Sequence, residues 1–313
     1  MSKVSIVIPT CRGYRIPRQT IPVNWIFVHD RQEWPIEGGG GDYTSIVAPD
    51  KALYGHKCSS IRSAGFLKAY RDGADFILSV DDDCTLPLDW AEQHVEALSS
   101  SYHPWSETVP GLHTRGMPYT FKPIKVAVSH GLWDGIQDLD GTSQKANPDL
   151  LMRHPGKWSR IHPPFAMSSM NFGFRREVAP IMYQPAQGEG FAFNRFDDIW
   201  LGVICQKILA TQGWAFANGG AVVYHDRASN VDANIVNEAN GKRANESFWR
   251  WVWDASLPST LKGAYLQLAD VIENYVVGST IDPASKSEGE NKYFEGLARN
   301  MREWTRLIDR TGL

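Results

Sequence analysis

Apolar residues along the chain follow two different spacings. Continuous runs of β-branched and aromatic residues cover 4–8, 25–28, 76–80, 125–129, 171–174 and 221–224. Such runs are typical of strands that are buried on both faces of a parallel sheet. Between them, apolar residues recur at helical spacing over 59–70, 90–98 and 199–209. Strands that alternate with helices predict an α/β fold with a mostly parallel, Rossmann-like sheet.

The pattern changes beyond residue 240. Helical spacing covers 246–253, 260–275 and 291–308, with polar breaks between them. We therefore predict an α/β domain over residues 1–238 and a helical C-terminal extension over residues 239–313 that packs on it. Residues 141–165 are polar and rich in Pro, Gly and His, which predicts a loop or lid.

The composition is that of a globular protein, with 42% hydrophobic and 21% charged residues. The net charge of −3 argues against broad electrostatic binding to nucleic acid, which usually needs a basic protein. The four cysteines form no CxxC pair and predict reduced thiols rather than a zinc or disulfide framework. No apolar run approaches the ~18 residues of a membrane span, and the first strand begins too early for a signal peptide. We expect a cytoplasmic protein.

Polar residues follow the predicted strands, which is where sheets of this kind bind ligands. They are Pro9, Thr10, Asp30, His130, His225 and the triplet Asp81-Asp82-Asp83. Three adjacent carboxylates repel one another, and a divalent cation removes that repulsion. Carboxylate oxygens suit Mg²⁺ or Mn²⁺, and strand alternation places Asp81 and Asp83 on one side and Asp82 on the other. A solvated acidic turn is the other interpretation of the triplet.

Three further candidates lie on predicted helices. Asp197 and Asp198 open the helix over 199–209. Asp197 is equally well explained as a helix cap, whereas Asp198 is the better candidate for orienting a sugar hydroxyl or acting as a base. Arg62 carries a planar fork of donors that suits a diphosphate or a pyrimidine edge, and a surface salt bridge is its other interpretation.

Several stretches, taken in order, resemble the reversibly glycosylated polypeptides, which are the UDP-arabinopyranose mutases of the family 75 glycosyltransferases. The matching stretches are VSIVIPT at 4–10, SVDDDC at 79–84, AVSHGLW at 127–133 with DLD at 138–140, MNFGF at 170–174, RFDDIW at 195–200 and HDRASN at 225–230. The acidic triplet alone is weak evidence, whereas the ordered set is specific.

The resemblance implies a GT-A fold that binds a UDP-sugar through a divalent cation, Mn²⁺ or Mg²⁺. The metal ligands would be Asp81, Asp83 and His225. The residues that contact UDP or its sugar would be Pro9, Thr10, Asp30, Arg62, Asp81, Asp82, His130, Trp133 and Asn171. Asp197 and Asp198 would face the sugar.

The resemblance also implies that UDP-arabinopyranose and UDP-arabinofuranose are interconverted through a transient glycosyl-enzyme on an arginine. Arg153 is the best-placed match to that arginine, and Arg160 is the second. By chemistry alone both would be surface residues, since a guanidinium stays protonated and is a poor nucleophile. Asp198 and Asp140 are therefore rival carriers of the sugar.

Two other functions stay open at this point. One is a metal-dependent glycosyltransferase of the same fold that moves a sugar from a UDP donor to a protein, glycan or modified nucleic acid. The other is a non-catalytic subunit that binds a nucleotide sugar. A flavin-dependent mutase is excluded, because no dinucleotide fingerprint follows the first strand. The C-terminal helices are a possible interface of a homo-oligomer, and the sequence does not select the sugar.

Overall fold

The structure is a computed structural model that describes residues 2–38, 41–105, 108, 112–118, 120–225, 230–278 and 288–310. The strands are β1 Val4–Thr10, β2 Tyr14–Arg15, β3 Asn24–His29, β4 Ile36–Glu37, β5 Tyr43–Val47, β6 Phe76–Val80, β7 Cys84–Thr85, β8 Ser101–Tyr102, β9 Ile124–His130, β10 Trp133–Ile136, β11 Leu151–Met152, β12 Ser159–Ile161, β13 Asn171–Arg175, β14 Ala215–Asn218 and β15 Val223–His225. The α-helices are α1 Lys51–Tyr54, α2 Arg62–Arg71, α3 Trp90–Ser99, α4 Gly141–Ala146, α5 Asp197–Thr211, α6 Val231–Asp254, α7 Leu261–Gly278 and α8 Glu288–Asp309. The α/β prediction is confirmed.

The central sheet has the strand order β12-β14-β9-β13-β6-β1-β3-β5. Strands β6, β1, β3 and β5 run parallel, as do β9 and β14. Strand β13 runs antiparallel between β6 and β9. The carboxyl ends of β1, β6 and β9 therefore meet the amino end of β13 at one edge of the sheet, which carries Thr10, Asp81, His130 and Asn171.

A smaller sheet with the order β11-β10-β15-β7 continues from this edge. Its strands β10 and β7 follow closely after β9 and β6 along the chain. The pairing of β15 with β7 sets His225 opposite Cys84. The small sheet thereby brings His225 next to the end of the acidic triplet, although the two are far apart in sequence.

Both faces of the central sheet are covered by hydrophobic clusters. Along β1, Ile6 and Ile8 belong to one cluster and Val7 to the other, as expected of a strand buried on both sides. Helix α2 packs very closely on the Val7 face at Gly65, where a Cβ would lie 2.3 Å from Val7 Cγ1. This close approach carries Arg62, at the start of α2, to the edge where the parallel strands end.

The C-terminal helices share a hydrophobic cluster with the sheet. Trp200 of α5 stacks on Phe248 of α6 with ring centroids 4.6 Å apart, and lies 5.6 Å from Phe294 of α8. The boundary predicted between residues 238 and 239 falls within α6. The division into two domains stays a prediction.

The fold differs from the sequence prediction in several places. Residues 141–165 are not only a loop, because they include α4, β11 and β12. Strand β5 was not predicted, since it is a half-exposed edge strand without a continuous apolar run. Helix α6 begins well before residue 246, at Val231, where the Asn230 side chain accepts a hydrogen bond from Ala233 N and caps the helix. Among the described residues, none of the helices has the length and apolar character that crossing a membrane requires.

Candidate active site

A cavity of about 790 Å³ opens where the strands of both sheets end, a size typical of small-molecule sites. Seven of the predicted site residues line it: Asp81, Asp83, Trp133, Asp140, Asp197, Asp198 and His225. The predicted residues Pro9, Thr10, Asp30, Arg62, Asp82, His130, Asn171 and Arg153 are not part of this lining. The indole N–H of Trp133 is buried and finds no acceptor among the described residues.

Asp81, Asp83 and His225 form one part of the wall, which we call the strand-end cluster. Burial, and after it the charge of Asp81, raises the pKa of Asp83 above its ordinary value. His225 is nearly buried and its Nδ1 donates to the carbonyl oxygen of Ile136 at 2.9 Å. This bond fixes the tautomer and leaves the lone pair of Nε2 for a ligand.

Arg62 lies behind Asp81 and is fully buried. Its guanidinium donates to Asp81, to the carbonyl oxygen of Ser169 and to the hydroxyl of Ser79, the last at 3.0 Å. Its Nε donates to the carbonyl oxygen of Ser59 at 3.1 Å. The guanidinium donors of Arg62, which were predicted to bind UDP, are thus bonded to protein groups. In this structure Arg62 fixes the position of the Asp81 carboxylate.

Asp82 turns away from the cavity towards the end of β1. It accepts hydrogen bonds from Thr10 Oγ1 at 2.8 Å and from Cys11 N at 3.3 Å. Its other oxygen lies 3.1 Å from the guanidinium of Arg12. Asp82 therefore joins β1 to β6, while its two neighbours in the triplet line the cavity.

Asp138, Arg195, Asp198 and Glu238 line another part of the cavity, which we call the loop-side cluster. Asp198, near the start of α5, accepts hydrogen bonds from Ile199 N at 2.8 Å and Ser169 N at 3.2 Å. Asp138 accepts one from Ser168 Oγ at 2.8 Å. The main-chain and side-chain groups of residues 168 and 169 thus hold two carboxylates side by side.

Two carboxylates of the loop-side cluster, Asp198 and Asp138, are poised to hold protons. Burial, followed by the charges of Asp197 and Asp138, raises the pKa of Asp198 to about 7. Desolvation by the surrounding protein also raises the pKa of Asp138, although part of this residue is open to solvent. A carboxyl group with a pKa near neutrality suits proton transfer at physiological pH.

Asp197 is buried beneath this cluster. It accepts hydrogen bonds from Gln184 Nε2 at 2.6 Å and from Ser59 Oγ at 2.7 Å. These bonds tie the start of α5 to the turn before α2, which also carries Arg62. The contacts of Asp197 are those of a residue that joins the two helices.

His130 and Asn171 lie under the cavity in a buried polar network. His130 Nδ1 bonds to Asn218 Oδ1 at 2.7 Å, and Nε2 accepts from Ser168 N at 3.1 Å. Burial lowers the pKa of His130, so its ring is neutral at physiological pH. Asn171 donates to the carbonyl oxygens of Leu132 and Ala221. These contacts align β9, β13 and the small sheet.

The remaining predicted residues lie at the margins. Pro9 is buried within β1. Asp30 accepts from Lys57 N at 3.2 Å and bonds to His56 Nδ1 at 2.6 Å. Asp140 caps α4 by accepting from Thr142 N and Ser143 N. Of these three residues, only Asp140 lines the cavity.

Neither candidate for the glycosylated arginine lines the cavity. Arg153 follows β11 and is exposed. Arg160 is half-buried on β12, and its guanidinium donates to the carbonyl oxygen of His103 at 2.6 Å. The arginines that do line it are Arg12 and Arg195.

Sequence reasoning missed three cavity residues of the loop-side cluster: Asp138, Arg195 and Glu238. Asp138 and Arg195 lie inside the DLD and RFDDIW stretches, so those motifs were the available signal. No sequence signal marked Glu238, because it lies in the polar first half of α6. It reaches the cavity only through the packing of that helix.

The chain matches a sequence model of reversibly glycosylated polypeptides over residues 40–312. It belongs to that family. UDP-arabinopyranose mutase 3 of Arabidopsis thaliana is 28% identical over 292 residues, which cover 84% of this chain and 75% of the plant protein. UDP-arabinopyranose mutase 1 of Oryza sativa subsp. japonica is 28% identical over 298 residues, or 86% and 76% of the two chains.

Membership of the reversibly glycosylated polypeptide family confirms the resemblance that the ordered motifs indicated. The SVDDDC and RFDDIW motifs of this family member both supply carboxylates to one cavity. The HDRASN motif contributes His225, while its residues 226–229 lie outside the described part of the chain. The family motifs are thus gathered around the cavity.

Proposed function

We propose that this chain is a UDP-arabinopyranose mutase that interconverts the pyranose and furanose forms of UDP-arabinose. The observation that carries the proposal is the pairing, in one cavity, of the strand-end cluster with the proton-holding carboxylates of the loop-side cluster. Its relatives bear the name of this activity. A GT-A-like sheet, a cytoplasmic location and assembly into a homo-oligomer belong to the same proposal.

The strand-end cluster fits a divalent cation, Mn²⁺ or Mg²⁺. Asp83 is a largely buried carboxylate to which no described residue donates a hydrogen bond, and Asp81 next to it raises its pKa. His225 adds an oriented imidazole. Among the described residues, no three such side chains are grouped closely enough to enclose a metal ion alone. A cation at this position would take its further ligands from a diphosphate and water.

The bound cation would supply positive charge beside the diphosphate, which stabilises UDP as a leaving group. Arg62 forms an ion pair with Asp81 and Arg12 forms one with Asp82, and these pairs fix the direction of the two carboxylates. Ring contraction requires that the 4-hydroxyl of arabinose lose a proton and that the ring oxygen O5 gain one. Asp198, with a pKa of about 7, suits both the acceptance and the return of that proton.

The direct test is to incubate the protein with UDP-arabinopyranose and Mn²⁺ and to separate the nucleotide sugars by chromatography. We expect a UDP-arabinofuranose peak that disappears with a chelator and returns on addition of Mn²⁺. The same incubation with UDP-xylose and UDP-galactose asks whether arabinose is the preferred sugar. The absence of any furanose, with metal present, would contradict the proposal.

One observation favours a second candidate, a glycosyltransferase that uses the same donor. The exposed position of Arg153 and the protein-bound guanidinium of Arg160 leave neither at the wall of the cavity, whereas a transferase needs no covalent arginine. Intact mass spectrometry with peptide mapping separates the candidates. A mutase is expected to carry a pentose adduct that is absent from Arg153→Lys and retained by Arg160→Lys.

UDP release without an adduct and without furanose would favour the transferase. An adduct that maps to Arg160 would keep the mutase and move the covalent step. An adduct on a cavity-lining residue such as Asp198 would remove both arginines from the chemistry.

A further inference from the structure

Arg195 has an unusual backbone conformation at the entrance to α5. Its φ is +65°, a region that residues other than glycine rarely adopt. The backbone of the next residue is held in place, because Phe196 N donates a hydrogen bond to the buried side-chain oxygen of Gln187 at 2.9 Å. Strained positions of this kind persist where the surroundings enforce them, and they concentrate at functional sites. The fold therefore holds Arg195 at the wall of the cavity in spite of local strain.

Glu238 of α6 fixes the direction of the Arg195 side chain. Its Oε1 accepts a hydrogen bond from Arg195 Nε at 3.0 Å, and its Oε2 accepts one from Gly141 N at 2.8 Å. The Glu238 side chain is only 4% exposed. Both carboxylate oxygens are thus engaged, and the helix that carries them is part of the hydrophobic core through Phe248 and Trp251.

The rest of the guanidinium remains available. No described residue accepts a hydrogen bond from Nη1 or Nη2 of Arg195, while the residue lines the cavity and its side chain is 35% exposed. Burial lowers its pKa, but the carboxylates of Glu238 and Asp138 outweigh that effect and raise it overall. The cavity therefore contains a permanent, oriented cation with a free pair of donors.

We propose that Arg195 binds the sugar-bearing phosphate of a nucleoside diphosphate sugar through Nη1 and Nη2, and that Glu238 is its positioning residue. This rests on the proposed function, because it takes the ligand of the cavity to be a UDP-sugar. A planar fork of donors matches two phosphate oxygens. Arg195 and the strand-end cluster line the same cavity, so both are placed to bind one diphosphate.

Isothermal titration of Arg195→Gln with UDP and with UMP, both with Mn²⁺, tests the contact. We expect the affinity for UDP to fall about 10- to 100-fold, the range for a lost charge-assisted hydrogen bond. The affinity for UMP, which lacks the second phosphate, should stay within about twofold, and this also shows that the variant is folded. Equal losses for both nucleotides, or no loss for UDP, would overturn the contact. If the wild-type protein binds no UDP at all, the proposed function itself fails.

Chemical rescue distinguishes a direct contact from a structural one. Guanidinium ion added to Arg195→Ala should restore part of the UDP affinity, since a small cation can occupy the emptied space. Arg195→Lys should keep the charge but lose the fork, and bind UDP with intermediate affinity. No rescue, together with wild-type behaviour of Arg195→Lys, would contradict the bidentate contact.

Glu238→Gln tests the positioning role. We expect a smaller loss for UDP than in Arg195→Gln, about 10-fold, which is the lower end of the range for residues that act through another. UMP binding should not change, and guanidinium should not rescue this variant because Arg195 is still present. Arg250→Gln, an exposed arginine on the same helix, is the matched control. Unchanged UDP affinity in Glu238→Gln would remove the positioning role while leaving the Arg195 contact standing.

Discussion

The two clusters that line the cavity are built in different ways. The strand-end cluster takes Asp81 and Asp83 from the first and third positions after one strand, and His225 from the end of a strand of the small sheet. The loop-side cluster takes its members from three separate parts of the chain. Asp138 lies in the segment before α4, Asp198 lies on α5 and Glu238 lies on α6.

The different construction of the two clusters suggests that they have different roles. Backbone pairing within the two sheets fixes the strand-end cluster, which suits a site that must bind a cation and a diphosphate rigidly. Contacts between helices and loops fix the loop-side cluster, where Ser168 and Ser169 donate to Asp138 and Asp198. Variants of the first cluster should therefore abolish binding, whereas variants of Asp138 and Asp198 in the second should alter turnover more than binding. Arg195 and its positioning residue Glu238 are the members of the second cluster that are expected to affect binding.

Asp83→Asn should have the largest effect. Loss of an ionised metal ligand is expected to lower both metal-dependent UDP affinity and turnover by more than about 100-fold, beyond the usual cost of outer-shell partners. Titration calorimetry with and without Mn²⁺ measures the first effect, and chromatography of the nucleotide sugars measures the second. Asp89→Asn is the control, because Asp89 is exposed and its side chain makes no capping bond. Metal-dependent UDP binding that survives in Asp83→Asn would break the distinction between the clusters.

Asp198→Asn should separate binding from chemistry. The amide keeps the shape and an acceptor for Ser169 N or Ile199 N, but it does not titrate. We expect turnover to fall about 100-fold, as for a lost general acid–base group, with UDP affinity within about threefold of the wild type. A bell-shaped pH profile with a limb near the pKa of Asp198, about 7, should flatten in the variant. Equal losses in affinity and turnover would show instead that Asp198 is a binding residue.

Asp198 should also make stability depend on pH. Its pKa is raised to about 7 in the folded protein by burial and by the charges of Asp197 and Asp138, while the unfolded chain titrates near the ordinary value of about 4. Between these values the folded state holds a proton that the unfolded state has released. The free energy of unfolding therefore falls as pH rises through this window.

Thermal unfolding of Asp198→Asn beside the wild type measures this effect. The variant should unfold at a temperature several degrees higher than the wild type near pH 8, and the difference should shrink near pH 4. A difference in unfolding temperature that stays constant between pH 4 and pH 8 would mean that ionisation of Asp198 does not destabilise the folded protein.

The strand-end cluster was predictable because its signal is local. A continuous apolar run followed by three carboxylates marks both the strand and its end, and the structure has β6 at Phe76–Val80, as the run indicated. The same applies to β1 and β3, whose apolar runs are buried on both faces. Short-range patterning fixes these elements before any tertiary contact is known.

The loop-side cluster depends on contacts that a local pattern does not carry. Glu238 lies in a stretch of α6 that reads as solvent-exposed, and Val236 nearby is 75% exposed. Only the packing of α6 against α4 and α5 turns Glu238 towards Gly141 and Arg195. The protein-bound fork of Arg62 could not be foreseen for the same reason, since its partners Ser79 and Ser169 come from two other elements.

Substitution of Asp140 should have the smallest effect on turnover. It also tests whether the proton-transfer role extends beyond the loop-side cluster to a neighbouring residue. It lines the cavity, but Thr142 N donates to its Oδ1 at 3.0 Å and Ser143 N at 3.2 Å, as expected of a helix cap. Although burial works in the opposite direction, hydrogen bonds from Lys242 and Ser143 lower its pKa, so it is a poor base at neutral pH. Asp140→Ala should cost about 1 kcal/mol of stability in urea unfolding. Asp140→Asn, which still caps, should cost less and keep turnover within about twofold. A loss of turnover in Asp140→Asn as large as that in Asp198→Asn would move the proton-transfer role to the start of α4.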